Sequence, residues 1–203
     1  MKINTMFKQC LCVAVLALGS TLSHAAIFGF HANLSGANEA PPNASPGTGF
    51  VNVILDTMAH TLQINISFSG LFGSTTASHI HCCTAVPFTA NVGVSTALPS
   101  FVGFPYGVTS GTHNYDVYDT TLNSSFSAAF IANNGGTALG AETALLNGMN
   151  AGRAYLNIHT TAFAGGEIRG FLTPVPEPET YAMLLAGLGL LGFAASRRKV
   201  AAA

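Results

Sequence analysis

The chain has 203 residues, of which only 7% are charged, and a formal net charge of −1. Between Ala26 and Pro174 lie six carboxylates (Glu39, Asp56, Asp116, Asp119, Glu142, Glu167) against Arg153 and Arg169, with no lysine, a net charge of minus four. A nucleic-acid surface needs clustered Lys or Arg, so that class of partner is excluded, and roughly 150 residues suit one domain with a sizeable core.

The N-terminus carries Lys2 and Lys8, then the apolar run CLCVAVLALGS (Cys10–Ser20), then TLSHAA with Ser23 and Ala25 two apart. That order of charge, apolar run and small residues is a secretory signal peptide over residues 1–25, cleaved after Ala25 or Ala26 and too short for a membrane span. Cys10 and Cys12 leave with it. Export places the body in an oxidising compartment, where its remaining thiols, Cys82 and Cys83, can form disulfides.

Within the body, GFVNVILD (Gly49–Asp56) and HTLQINISFSG (His60–Gly70) read as strands. In the second, Leu62, Ile64, Ile66 and Phe68 alternate with Gln63, Asn65 and Ser67, the period of a half-buried antiparallel strand. The short TMA link between them predicts a hairpin. SHIHC continues the alternation, with Ile80 on one face and His79 and His81 on the other. The long segment from Val86 to Leu122, rich in Gly and Pro, predicts loops and short strands. NSSFSAAFIANN and ALGAETALLNGMNAG read as two short helices. RAYLNIHT (Arg153–Thr160) sets Ala154, Leu156 and Ile158 against Tyr155, Asn157 and His159. GEIRGFLT (Gly166–Thr173) closes the body as a last strand after the Gly165-Gly166 turn.

The stretches LSGANEAPPNASPGTGFVNVILD, ASHIHC and GRAYLNIHTTAFAGGEIRGFL resemble the CHRD domain, found in chordin and in exported microbial proteins. The resemblance covers residues 26–174. It implies an immunoglobulin-like β-sandwich or barrel, here mainly β with a small helical insertion, and no established catalytic activity.

Alternate residues of a strand share a face, so His79 and His81 project together, and His159 sits on the polar face of its own strand. Three imidazoles are a familiar ligand set for Zn or Cu. His113, in GTHNYD beside Asp116, is a fourth candidate. The arrangement is also similar to that of copper, zinc superoxide dismutases, but lacks their further ligands and electrostatic loop. The alternative is that these histidines hydrogen-bond backbone and polar neighbours beneath the long covering segment. Cys82-Cys83 can close a small ring, bond to another chain, ligate softly beside the imidazoles or remain buried thiols. Glu167 and Arg169, two apart, share a face and are expected to pair with each other or with the polar face of YLNIH. NEAPP (Asn38–Pro42) reads as a proline-stiffened segment that fixes an edge strand, and His31 and His60 as plain surface residues. No catalytic residues stand out: neither a Ser-His-Asp order nor a phosphate-binding loop occurs.

The C-terminus, VPEPETYAMLLAGLGLLGFAASRRK, joins Pro176, Glu177 and Pro178 to an apolar run (Tyr181–Ala195) and a basic end, Arg197, Arg198 and Lys199. It resembles a PEP-CTERM sorting segment over residues 175–203. That resemblance implies removal by an exosortase after export, with signal peptidase as the other processing partner. A retained transmembrane anchor is the alternative, and about fifteen apolar residues are short for a span. The combined expectation is a non-enzymatic module of the cell surface or extracellular polymer matrix, with extracellular polysaccharide or other surface proteins as partners. A metal-binding, redox-active extracellular protein is the alternative.

Overall fold

The computed structural model describes residues 27–176 and 184–191. The signal peptide, Glu177 and Pro178 of the sorting motif, and the basic tail lie outside the described residues.

Eight antiparallel strands make one curled sheet: β1 (Ile27–Ser35), β2 (Thr48–Asp56), β3 (Thr61–Ser69), β4 (Thr75–Cys82), β5 (Gly111–Asp119), β6 (Ala154–Thr160), β7 (Ile168–Phe171) and β8 (Thr173–Pro174). Their order is β4-β6-β7-β1-β2-β3-β5, with β8 also on β1. The mainly β body with a small helical insertion is thus as expected, and it takes the form of a half-barrel. The hairpin expected at TMA joins β2 to β3 in register from Thr48↔Ser69 to Asp56↔Thr61. Its turn closes on Asp56, whose carboxylate accepts from the amides of Met58 and Ala59.

Alternation puts one side of each strand into the core. Val51, Val53 and Leu55 of β2 and Leu62, Ile64 and Ile66 of β3 are buried on the inner side. β1, not among the strands read from sequence, does the same with Phe30, Ala32 and Leu34. Because β1 pairs with β2 on one side and with β7 and β8 on the other, it is interior to the sheet, and NEAPP does not fix an edge. The edges are β4 and β5; at the start of β4, Thr75 donates its amide to Val108 O and its hydroxyl accepts from Val108 N, in the loop that leads into β5.

The open edge of β4 is covered by the segment from Gly93 to Phe101. Ser95 and Phe101 donate their amides to the carbonyls of Ile80 and Ser78, and the hydroxyls of Thr96 and Ser100 accept the amides of Ile80 and Ser78. An unpaired strand edge would otherwise invite another chain.

Helices α1 (Ala128–Asn133) and α2 (Ala138–Asn150) follow β5, as expected, each capped by the hydroxyl of the preceding residue, Ser127 or Thr137. Leu145 and Met149 of α2 are fully buried. The helix packs where Cys82 and Cys83 are joined to each other as a disulfide. Gly148 makes this approach achievable: a Cβ there would lie 2.2 Å from Cys82 Sγ and 2.5 Å from Cys83 Sγ. His60 is not a plain surface residue. Its Nδ1 lies 3.0 Å from the buried Glu142 carboxylate, which also accepts from the Thr120 hydroxyl, so the β2–β3 hairpin is tied to α2. His31, half-buried in mid-strand, lies beside the Phe50 ring.

Residues 184–191 are helical with exposed leucines. No described helix is long and apolar enough to cross a membrane.

Candidate metal centre

The site is built on the pairing of β4 with β6. His79 stands opposite Asn157, His81 opposite Tyr155 and Ala77 opposite His159. His159 is therefore a diagonal neighbour of His79 on the same face, within reach of a long side chain. The rings converge: His79 lies 4.7 Å, centroid to centroid, from both His81 and His159, and His81 lies 6.0 Å from His159. One ring nitrogen from each lies within 4.8 Å of the others.

Each imidazole is oriented by a backbone carbonyl. His79 Nδ1 is 3.0 Å from Pro99 O, His81 Nδ1 2.7 Å from Val92 O, and His159 Nδ1 2.9 Å from Ala164 O. A carbonyl oxygen only accepts, so each Nδ1 carries the proton and each neutral ring presents a bare Nε2 lone pair. His79 Nε2 and His159 Nε2 face each other at 2.9 Å, and His81 Nε2 is buried without a hydrogen-bond partner. Two lone pairs at that separation repel unless a cation lies between them.

Burial lowers the pKa of His79 to about 4, with the neighbouring His159 adding to the effect against the Pro99 carbonyl. It lowers that of His81 to about 3, helped by His79, and that of His159 in the same direction. The proton is thus disfavoured as the cation between the rings. Neutral imidazoles fixed through Nδ1 by outer partners are the arrangement that metal-binding histidines adopt.

β6 is buried on both faces, so its polar row is not a solvated one. Tyr155 stacks flat on His81 at 4.7 Å, and the Arg169 guanidinium lies over the Tyr155 ring at 4.7 Å. Arg169 does not pair with Glu167. It donates to the carbonyls of Asn38 and Ala90 and to Asn91 Oδ1, and its Nε lies 3.8 Å from Glu39 Oε2. Glu39, in NEAPP, is 7% exposed, and burial raises its pKa to about 7 in spite of Arg169. NEAPP and the segment around Ala90 together roof the polar row, and Val92 N donates to Tyr155 Oη.

Glu167 has other partners. Its carboxylate accepts from the hydroxyls of Ser45 and Thr160 and from the amides of Phe72 and Gly73. Although burial raises its pKa, these donors outweigh burial and hold it below the usual carboxylate range. The adjacent Gly166 has φ +127, and a Cβ there would lie 2.4 Å from the Asn157 amide nitrogen, so the turn requires glycine.

His113 does not join the cluster. It lies on β5 among aromatic rings, stacked on Phe101 at 5.8 Å and tilted to Phe104 at 5.9 Å, with burial lowering its pKa against a bond to Gly103. The cysteines are likewise not part of the group. Reading alternation alone missed Glu39, because its partner Arg169 lies far along the chain and no local pattern links the two.

Fold and site together define an antiparallel β module with a buried, histidine-lined cluster at one edge of its sheet. The chain belongs to the CHRD domain family, whose model matches residues 30–172. Residues 174–199 match the PEP-CTERM protein-sorting motif, directly behind the domain. Neither is an enzymatic family, and the sorting motif marks an exported protein sorted through an exosortase. No curated protein matches the chain. No solved structure matches it.

Proposed function

We propose that this protein is a non-enzymatic CHRD module of the cell surface or extracellular polymer matrix that holds a transition-metal ion on His79, His81 and His159. The observation that carries the metal reading is the convergence of three neutral imidazoles, each with Nδ1 held by a carbonyl and two with Nε2 atoms 2.9 Å apart. A bound ion would supply positive charge where the lone pairs meet. The protein's part is to fix the ring orientations and keep the nitrogens unprotonated. Zn and Cu both suit imidazole.

The placement of the sorting motif directly behind the domain supports release of the body after export, with the C-terminal segment serving as a transient membrane tether. The surface partners of this reading are extracellular polysaccharide or other surface proteins.

Metal analysis of protein purified without chelator tests the site. One ion per chain is expected, falling in both His79→Ala and His159→Ala. Full occupancy in both variants would place the metal elsewhere. Intact-mass measurement of protein from its native host tests the processing: a mature chain lacking residues 181–203 is expected, and a species that keeps them counts against removal.

A further inference from the structure

We propose that the ion taken by His79, His81 and His159 is monovalent copper, held on neutral nitrogen ligands with no anionic ligand from the protein. This rests on the metal-binding reading above and specifies its charge.

The charge balance around the cluster is the argument. Among the described residues, the group that can share an ion is His79, His81 and His159, without Asp, Glu or Cys. The nearby carboxylates are committed elsewhere. Glu39 stands against Arg169, and Glu167 is occupied by Ser45, Thr160 and the amides of Phe72 and Gly73. Cys82 and Cys83 are bonded to each other, so neither offers a thiolate. A positive charge is packed toward the site: the Arg169 guanidinium lies over the Tyr155 ring, on which His81 stacks.

Placing an ion in a buried setting costs free energy that grows as the square of its charge, so a dication pays about four times what a monocation pays. Divalent zinc on three imidazoles offsets that cost by taking a water or hydroxide in its fourth position. Here any such ligand would have to come from solvent, while His79 is 6% exposed and His81 Nε2 is buried. Divalent copper prefers a tetragonal set of four nitrogen and oxygen ligands, and the cluster offers three nitrogens. Monovalent copper has a filled d shell, binds imidazole and accepts three-coordination, so both its charge and its ligand number fit.

The test is an anaerobic titration of the full metal-free protein with copper(I), in competition with a copper(I)-selective chromophoric chelator, beside a parallel titration with zinc(II). One copper(I) per chain is expected, bound more tightly than zinc(II). X-ray absorption of the copper form should show nitrogen neighbours and no sulfur. His79→Asn and His159→Gln should each lose copper(I) while keeping the wild-type circular dichroism. His159, on the more open side, supplies a variant that folds if His79→Asn does not. Zinc(II) bound more tightly than copper(I), or a sulfur neighbour, would overturn the monovalent assignment and leave the metal site standing. Binding of neither ion, or full binding by both variants, would overturn the site itself.

Discussion

The two faces of β6 share one backbone and one register but are stabilised by different physics. On one, Ala154, Leu156 and Ile158 are fully buried in the apolar core. On the other, Tyr155, Asn157 and His159 are also covered, yet by an aromatic stack, an arginine and two further imidazoles. The apolar face tolerates any close-packed neighbour of the right volume, whereas every member of the polar face needs a particular partner in a particular protonation state. The comparison teaches that burial alone does not distinguish a core from a site. Orientation of the polar groups does.

Acid should act on the polar face alone and with the largest effect. The folded pKa values of His79 and His81, about 4 and about 3, lie below the ordinary 6.5. Below pH 6.5 the unfolded chain takes up protons that the folded chain refuses. Their contribution is therefore complete above 6.5, lost progressively as pH falls toward 4 and then 3, and on the order of several kcal/mol. Glu39, raised from 4.5 to about 7, pulls the opposite way between those values. Denaturant melts of metal-free protein from pH 7 to 4 should show stability falling, and falling less in His79→Asn. An identical pH slope in that variant would mean that His79 is not held neutral by the fold.

The apolar face answers to volume. Leu156→Ala, at a fully buried position, should cost about 2–5 kcal/mol with no change in pH slope. A pH-dependent loss would mean that the two faces are coupled through the strand. At the end of β6, Thr160 donates to Glu167, a carboxylate with no exposure and four donors. Glu167→Gln keeps the shape but removes the charge, and should cost about 2–3 kcal/mol, since hydrogen bonds to charged groups are the stronger ones. A loss under about 0.5 kcal/mol in thermal or denaturant melts would show that the four donors are satisfied without the charge.

Period-two alternation made β2, β3, β4 and β6 legible in the sequence, and it put His79 and His81 on one face of one strand and His159 on the polar face of another; the pairing of β4 with β6 is what brings them together. The same alternation runs through Phe30, Ala32 and Leu34 of β1, where no turn or paired run beside it marks a strand in the sequence. What alternation cannot carry is the identity of a covering partner. Glu167 and Arg169 share a face by spacing, but the chain brings Glu39 and Asn91 to the arginine, and Ser45 and Phe72 to the glutamate, across sequence separations that no local pattern encodes. His113 failed as a ligand for the same reason. It sits in an apparently polar stretch, GTHNYD, and its surroundings are the Phe101 and Phe104 rings, supplied by a loop. The three carbonyls that set the imidazole tautomers come from Pro99, Val92 and Ala164, all in irregular segments whose paths follow from the folded sheet.

The smallest effect belongs to Asn157, and it is the sharpest test of the register. Asn157 stands opposite His79 on β4 and Arg169 on β7, is 2% exposed, and hydrogen-bonds to Glu39. Asn157→Ala removes one neutral amide and leaves a small gap beside Gly166, so it should cost under about 2 kcal/mol. It should also push the Glu39 pKa further up, since a bond that favours the carboxylate is lost. Leu156→Ala, one residue away on the apolar face, should be the more damaging of the two. If denaturant melts with an unaltered m-value placed Asn157→Ala above Leu156→Ala, the two faces would be exchanged, because a one-residue slip turns every side chain of a strand to the other side. His159 would then point away from His79 and His81, and the three-histidine site would have no geometric basis.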